Sequence, residues 1–328
     1  MKYVVVYATD ENYVKLTAVS MYSLLVHSPG IDVAVLSSGI SDKSAALLTC
    51  LATRFNSTLQ IIDVERELEQ LRLQNAPGYT SYSTYSRHFA PQLLHQHYDR
   101  ILYLDCDTLV TGNIADLLNL SLEDHPFAIG YDCLYNNYKK FIGLSPEQPY
   151  FNAGVLLIDI QTWIAQECTA RFFDCIKNRV NQPSILADQD ILAHSLARDA
   201  AILPPQYNFL THFQMFKTRN DVLHATGIPA SAWYTKEQYA TAQKNPVIHH
   251  FLGHTLGRPW YRESLNPLRP LYQKIAAEAG LPEVAEQSRP IDFCYKVQDL
   301  AWKTLPASLF PWTCRAMYAY FFKTRYGV

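Results

Sequence analysis

Within the first 64 residues, three short β-branched runs alternate with two segments of helical period, and no other feature constrains the fold as strongly. Residues 3–8 (Tyr-Val-Val-Val-Tyr-Ala) read as a buried strand that empties into Thr9-Asp10-Glu11-Asn12. Residues 13–26 carry apolar side chains at helical spacing and stop at Ser28-Pro29-Gly30. A second strand is expected over 31–36, a helix capped by Ser41 through about Arg54, and a third strand over 59–64. A β-α-β-α-β order predicts a parallel sheet with helices on both faces. Ligands of such sheets sit beyond the carboxyl ends of the strands, where Asp10 and Asn12 fall.

Further along, 84–96 is expected as a helix in which Pro91 is a point of kinking. A strand over 100–104 ends in Asp105-Cys106-Asp107, and 127–131 and 154–160 are apolar enough for interior strands. Residues 162–180 and 188–196 read as helices, and 247–251 as a last core strand. No internal repeat or long linker interrupts the 328 residues. With 48% hydrophobic and 18% charged residues the chain can bury a large core, which excludes global disorder. A net charge of −2 argues against a basic nucleic-acid-binding surface.

The seven cysteines include no C-x-x-C pair, a pattern of reduced thiols in a cytosolic protein. The apolar start at Val4-Val5-Val6 meets Asp10 and Glu11 too soon for a signal peptide or membrane span, so a cytoplasmic location is expected. Residues 289–328 differ in kind. They set Arg289, Lys296, Lys303, Arg315, Lys323 and Arg325 against Asp292 and Asp299, an excess of four positive charges, and hold ten aromatics. Such a segment can lie on an anionic membrane surface, here the inner face of the cytoplasmic membrane. The other reading is a terminal helical pair that packs its aromatics on the main domain. The localised charge contrast favours the membrane.

Asp105 and Asp107 carry the sharpest chemical signal. Side chains at i and i+2 of an extended segment face the same way, so both carboxylates can address one small volume. Left unpaired they would repel, and one would stay protonated. A hard divalent cation removes that conflict and can bind diphosphate oxygens at the same time. An isolated D-x-D is more often a pair of loop aspartates making turns or caps. Here the apolar flanks Ile101-Leu102-Tyr103-Leu104 and Leu109-Val110 place it on a buried scaffold.

Three blocks resemble family 8 glycosyltransferases in order and spacing: Tyr103-Leu104-Asp105-Cys106-Asp107-Thr108-Leu109-Val110, Tyr150-Phe151-Asn152-Ala153-Gly154-Val155-Leu156-Leu157-Ile158, and Asp188-Gln189-Asp190-Ile191-Leu192. Ala8-Thr9-Asp10-Glu11-Asn12-Tyr13 and His250-Phe251-Leu252-Gly253 look like further blocks of that family. The pattern is similar to bacterial enzymes that add galactose or glucose to lipopolysaccharide or lipooligosaccharide. The resemblance implies an α/β GT-A fold, Rossmann-like and nucleotide-sugar-binding, with a mostly parallel central sheet. It covers roughly residues 1–270 as a catalytic domain and leaves 271–328 as a C-terminal helical segment, for which membrane-surface attachment is one of the two readings given above. It also implies a UDP-sugar donor, a saccharide or glycolipid acceptor, Mn²⁺ (or Mg²⁺), and retention of anomeric configuration.

Carried over position by position, the resemblance makes Asp105, Asp107 and His250 the metal ligands, with Cys106 also at the donor. Ala8, Asp10 and Asn12 would hold uracil and ribose, although Asp10 also suits turn or cap chemistry. Arg87 would contact the donor near the diphosphate. Asn152 and Ala153 would approach the donor sugar, and Asp188 and Gln189 would lie beside the reacting carbon as the catalytic pair. A plainer role for Asp188 is a helix N-cap. Gly253 would permit close approach to phosphate. Arg258 stands where the family has lysine, after a longer loop, and is not a neutral replacement. Asp132 and Tyr79 would contact acceptor. The rival readings are a glycoside hydrolase, a nucleotidyltransferase, a non-catalytic sugar-binding module, and a glycosyltransferase acting on a protein or glycogen-type acceptor.

Overall fold

Strand β1 (Tyr3–Thr9) buries Val4, Val5, Val6 and Tyr7 completely, with neighbouring strands flanking it and both its faces covered. The computed structural model describes residues 1–73, 82–179, 182–184, 186–253, 256–288 and 293–327. These form two compact units, Met1–Gly130 with Phe151–Leu203, and Tyr131–Tyr150 with Pro204–Val328.

The first unit is built on a seven-stranded sheet of order β3-β2-β1-β4-β7-β6-β8. Its strands are β1, β2 (Val33–Ser37), β3 (Leu59–Asp63), β4 (Arg100–Leu104), β6 (Phe127–Tyr131), β7 (Phe151–Asp159) and β8 (Ala200–Ile202). β3, β2, β1 and β4 run parallel, as the opening alternation predicts, whereas β7 is antiparallel to β4. Parallel pairing of Val6 with Tyr103 brings the Asp10 loop and the Asp105 turn out on the same carboxyl edge. Helix α1 (Val14–His27) has only its ends exposed. It carries hydroxyls inward, with Ser20 Oγ 2.8 Å from Thr108 Oγ1 and Ser23 Oγ accepting from the Val110 amide at 3.0 Å. Helix α2 (Asp42–Arg54) starts at the predicted cap, where Ser41 Oγ accepts from the Ser44 amide.

Two helices expected as single pieces are broken. The stretch expected as one helix over 84–96 is a 3₁₀ segment, Tyr82–His88, followed by a short helix, Ala90–Leu94. Pro91 lies in the first turn of the second piece, the one place where its missing N–H and fixed φ cost nothing. The stretch 162–180 divides into Ile160–Ala165 and Cys168–Asn178, separated by Glu167 at φ 53°, a left-handed conformation that ends the first helix.

The second unit pairs β9 (Phe209–Leu210) in parallel with β10 (Ile248–His250) and packs helices around an aromatic core. Phe213, Phe216, Trp233, Tyr234 and Tyr239 form that core together with Phe310 and Cys314 from the chain terminus. The helices Arg219–Thr226 and Phe310–Tyr326 lie against each other, and Arg315 Nη1 donates to the His224 carbonyl at 2.9 Å. The described residues after 270 belong to this unit, and Phe310 and Cys314 lie in its core; Arg289 and Asp292 lie outside the described residues. Cys50, Cys106, Cys133, Cys168, Cys175 and Cys314 are free thiols. Among the described residues no helix is long and apolar enough to cross a membrane.

Candidate active site

β4 delivers Asp105 to the carboxyl edge, and Asp105 to Thr108 then form a tight turn into β5 (Thr108–Val110). The Asp105 amide donates to the Gly154 carbonyl at 2.8 Å, tying the turn to β7. The Asp105 carbonyl accepts from the Thr108 amide at 3.2 Å and from Thr108 Oγ1 at 2.8 Å. The triplet is thus held in a turn and not on an extended run, with Asp105, Cys106 and Asp107 all half-buried.

Arg87, 3% exposed, organises the surrounding carboxylates. Its Nη2 is 3.0 Å from Asp105 Oδ1, its Nε is 3.1 Å from Asp188 Oδ2 and 2.8 Å from the Thr84 carbonyl, and its Nη1 donates to the Ala153 carbonyl. The guanidinium lies over the Tyr103 ring, whose hydroxyl donates to Asp105 Oδ1 at 2.7 Å. Burial works against the Arg87 charge, but Asp105 and Asp188 outweigh it and hold its pKa above the ordinary value. An ionised arginine fixed by two carboxylates and two carbonyls is a rigid centre of positive charge.

Asp188 does not cap its helix. It lies in the first turn of Ala187–Ser195 and turns its carboxylate to Arg87 and to His88. Capping falls to Asp190, whose Oδ2 accepts from the Leu186 amide at 3.0 Å and from Ser184 Oγ at 2.9 Å. Gln189 Oε1 accepts from the Ala153 amide at 3.1 Å and from Asn152 Nδ2 at 3.4 Å, which joins the predicted sugar-side residues of β7 and this helix. Arg87, Asp105, Asn152, Ala153, Asp188 and Gln189 therefore form one contiguous network. Asp10 realises the turn chemistry, since its Oδ1 accepts from the Asn12 and Tyr13 amides at 2.9 and 3.2 Å. Ala8, near the end of β1, is half-buried, and Asn12, on the loop that follows, is exposed.

In the second unit His250 is 2% exposed and its Nδ1 is 3.0 Å from Asn208 Oδ1. With the Nδ1 proton donated there, Nε2 keeps its lone pair as a ligand atom. His249 points to the other side of β10, packs its ring on Phe209, and has its pKa pushed down to about 4 by burial. Gly253 has φ +60°, with open space where a Cβ would stand. Arg258 lies over the Trp260 ring at 5.3 Å. Asp132 is 7% exposed, its amide donating to the Tyr150 carbonyl and its carbonyl accepting from Trp233 Nε1 at 3.1 Å. Tyr79 lies outside the described residues.

Sequence reasoning missed Tyr103, His88 and Asn208. Tyr103 was legible as the residue two before Asp105, on the same side of β4. His88 and Asn208 carried no local signal, because their partners are distant in the chain.

A family model described as glycosyl transferase family 8 matches residues 4–264. The chain belongs to that family. It is a glycosyltransferase, and this family 8 protein is similar to several characterised ones. Lipopolysaccharide 1,2-glucosyltransferase of Escherichia coli is 27% identical over 71% of this chain and 74% of that protein. Lipopolysaccharide 1,3-galactosyltransferase of Salmonella typhimurium is 25% identical over 84% of this chain and 85% of its own length. Among solved structures, galactosyltransferase LgtC in complex with donor and acceptor sugar analogs superposes with a TM-score of 0.68 at 23% identity. That superposition covers 84% of this chain and 95% of the other. The fold is the GT-A glycosyltransferase fold.

Proposed function

We propose that this family 8 protein transfers galactose or glucose from a UDP-sugar to a saccharide of a surface glycan such as lipopolysaccharide, with retention of configuration. The observation that carries the reading is the Arg87 network, which ties the Asp105 turn to Asp188 and, through Ala153, to Gln189. Diphosphate-side and sugar-side residues are thereby held as one piece. The E. coli and Salmonella relatives support the hexose and the acceptor class.

Asp105, Asp107 and His250 are a set of side chains suited to a divalent cation, two carboxylates and one imidazole. The hydrogen bond from His250 to Asn208 fits that role, since it fixes the tautomer a ligand needs. A bound Mn²⁺ or Mg²⁺ would stabilise the negative charge that develops on the departing UDP. Arg87 orients Asp105 and adds a fixed positive charge on the same side. Ala8, Asp10 and Asn12 take the uracil and ribose, Gly253 and Arg258 the diphosphate, and Asp132 and Tyr79 the acceptor. Asp188 receives a sugar hydroxyl. Gln189 is a poor nucleophile because its amide is neutral and its oxygen already accepts two N–H groups. The acceptor hydroxyl therefore attacks from the face the leaving phosphate departs, and the phosphate takes its proton.

Incubation with UDP-glucose, UDP-galactose and their N-acetyl forms tests the reading. Mn²⁺-dependent release of free UDP from one of them is expected. Release of hexose 1-phosphate in place of UDP, or binding without turnover for every donor, would overturn it in favour of a nucleotidyltransferase or a sugar-binding module.

The C-terminal helices also have an outward face suited to the cytoplasmic side of an anionic membrane. Leu300, Leu309, Trp312 and Tyr320 are 51–66% exposed among Lys303, Lys323 and Arg325, while Phe310, Cys314 and Phe322 face inward. Truncation would uncover the core, so the test substitutes Trp312→Ser and Tyr320→Ser. The parent is expected to sediment with phosphatidylserine vesicles at low salt and to be released at high salt. The double variant should bind several-fold less, and a parent that never sediments would mean that this face is only solvated.

A further inference from the structure

We propose that His88 is a positioning residue for transfer, acting through Asp188: its Nε2 and Arg87 Nε hold one carboxylate oxygen so that the other is presented to the donor sugar. This rests on the hexosyl-transfer reading above. His88 closes the 3₁₀ segment Tyr82–His88, immediately after the arginine that serves the same carboxylate. Its Nε2 is 3.3 Å from Asp188 Oδ2, and Arg87 Nε is 3.1 Å from that same oxygen. Among the described residues no side chain or amide donates to Asp188 Oδ1. The carboxylate is 5% exposed, so the second oxygen is the acceptor left for a hydroxyl.

The imidazole is built in. It is fully buried, stacks on Phe172 with ring centroids 3.7 Å apart and an interplanar angle of 20°, and lies parallel to Trp163 further out. Its carbonyl accepts from Thr169 Oγ1 at 2.9 Å. Nδ1 is buried without a hydrogen-bond partner. In a neutral ring the proton then belongs on Nε2, where it meets a carboxylate. On Nδ1 it would be an orphaned donor and would set the Nε2 lone pair against Asp188. A histidine kept for packing alone would need no such partner, and Leu or Phe would fill the same space beside Phe172 without burying a bare nitrogen.

The single Arg87 Nε–H is donated to the Thr84 carbonyl, so the arginine contact with Asp188 is an ion pair; the His88 N–H is the hydrogen bond that holds the carboxylate against rotation about its terminal torsion, which is broad for Asp. Misplacement of a group that orients the sugar lowers turnover far more than it lowers nucleotide affinity.

The test compares His88→Leu, His88→Asn and His88→Gln by turnover of the preferred UDP-hexose, calorimetry with UDP, and thermal melting. Gln can place its amide N–H where Nε2 stands; Asn offers a donor only at the Nδ1 position. Leu and Asn variants are expected to bind UDP as the parent does and to lose about tenfold in kcat, with Gln restoring most of it. If Leu does not fold, the contrast between Asn and Gln decides. Full turnover in the Leu or Asn variant would overturn the assignment. So would equal losses in Asn and Gln that track melting, because that is what a packing role produces. A parent that releases no UDP from any UDP-hexose removes the transfer reading itself and this inference with it.

Discussion

Asp105→Asn and Asp107→Asn are each expected to lower metal-dependent transfer by roughly a thousandfold, about 4 kcal/mol of transition-state stabilisation. Each change removes a negative charge while keeping side-chain volume, so the fold should persist. Asp105 also has a part in holding the fold. Asp105 Oδ1 also faces Arg87 Nη2 at 3.0 Å and accepts from the Tyr103 hydroxyl at 2.7 Å. An asparagine carbonyl can keep the tyrosine bond but not the ion pair. Asp105→Asn should therefore melt lower than the parent as well as losing activity. UDP release with Mn²⁺, Mn²⁺ titration in the presence of UDP, and thermal melting together check this. Parent-like turnover in either variant at saturating donor would remove that residue from the metal site.

Arg87→Met is expected to damage both stability and chemistry. Removing the guanidinium leaves Asp188, 5% exposed, and Asp105, 26% exposed, without the cation that compensates them. Breaking a buried ion pair from one side costs about 3 kcal/mol, read as a melting temperature lower by roughly 6–12 °C. Turnover should fall at least a hundredfold, since the Asp105 and Asp188 carboxylates lose their common anchor. Adding Asp188→Asn to Arg87→Met should recover part of the stability and none of the activity, because it removes the orphaned charge but not the need for a positioned carboxylate. A single variant that melts like the parent would show that the network is solvated and that its charges are individually dispensable.

Much of the first unit was legible locally. β4 and β6 have the bounds that apolar runs and turn residues imply, and α2 begins at Ser41, because strand period and capping act over a few residues. The D-x-D at the end of β4 and the block containing Asp188 were visible for the same reason. Two helices were read too long. Pro91 and the left-handed Glu167 interrupt patterns whose apolar spacing continues across them, and periodicity does not register a break in the backbone.

The rest was decided by residues brought together from far apart. Arg87 meets Asp188 across about a hundred positions, and nothing near either shows whether a helix-start aspartate will cap its own backbone or serve a distant arginine. Asn208 reaches His250 only because β9 and β10 pair in parallel. The C-terminal segment is the clearest case. Its composition, aromatic and basic on all sides of a helix, suits a membrane surface and a protein core equally. Only the packing of Phe310 and Cys314 against Phe213, Phe216 and Val222 turned one face inward and left Trp312 and Tyr320 outside. Chain-local preferences choose the elements, whereas which face of an element is buried depends on the partner it meets, and that partner is supplied by the tertiary fold.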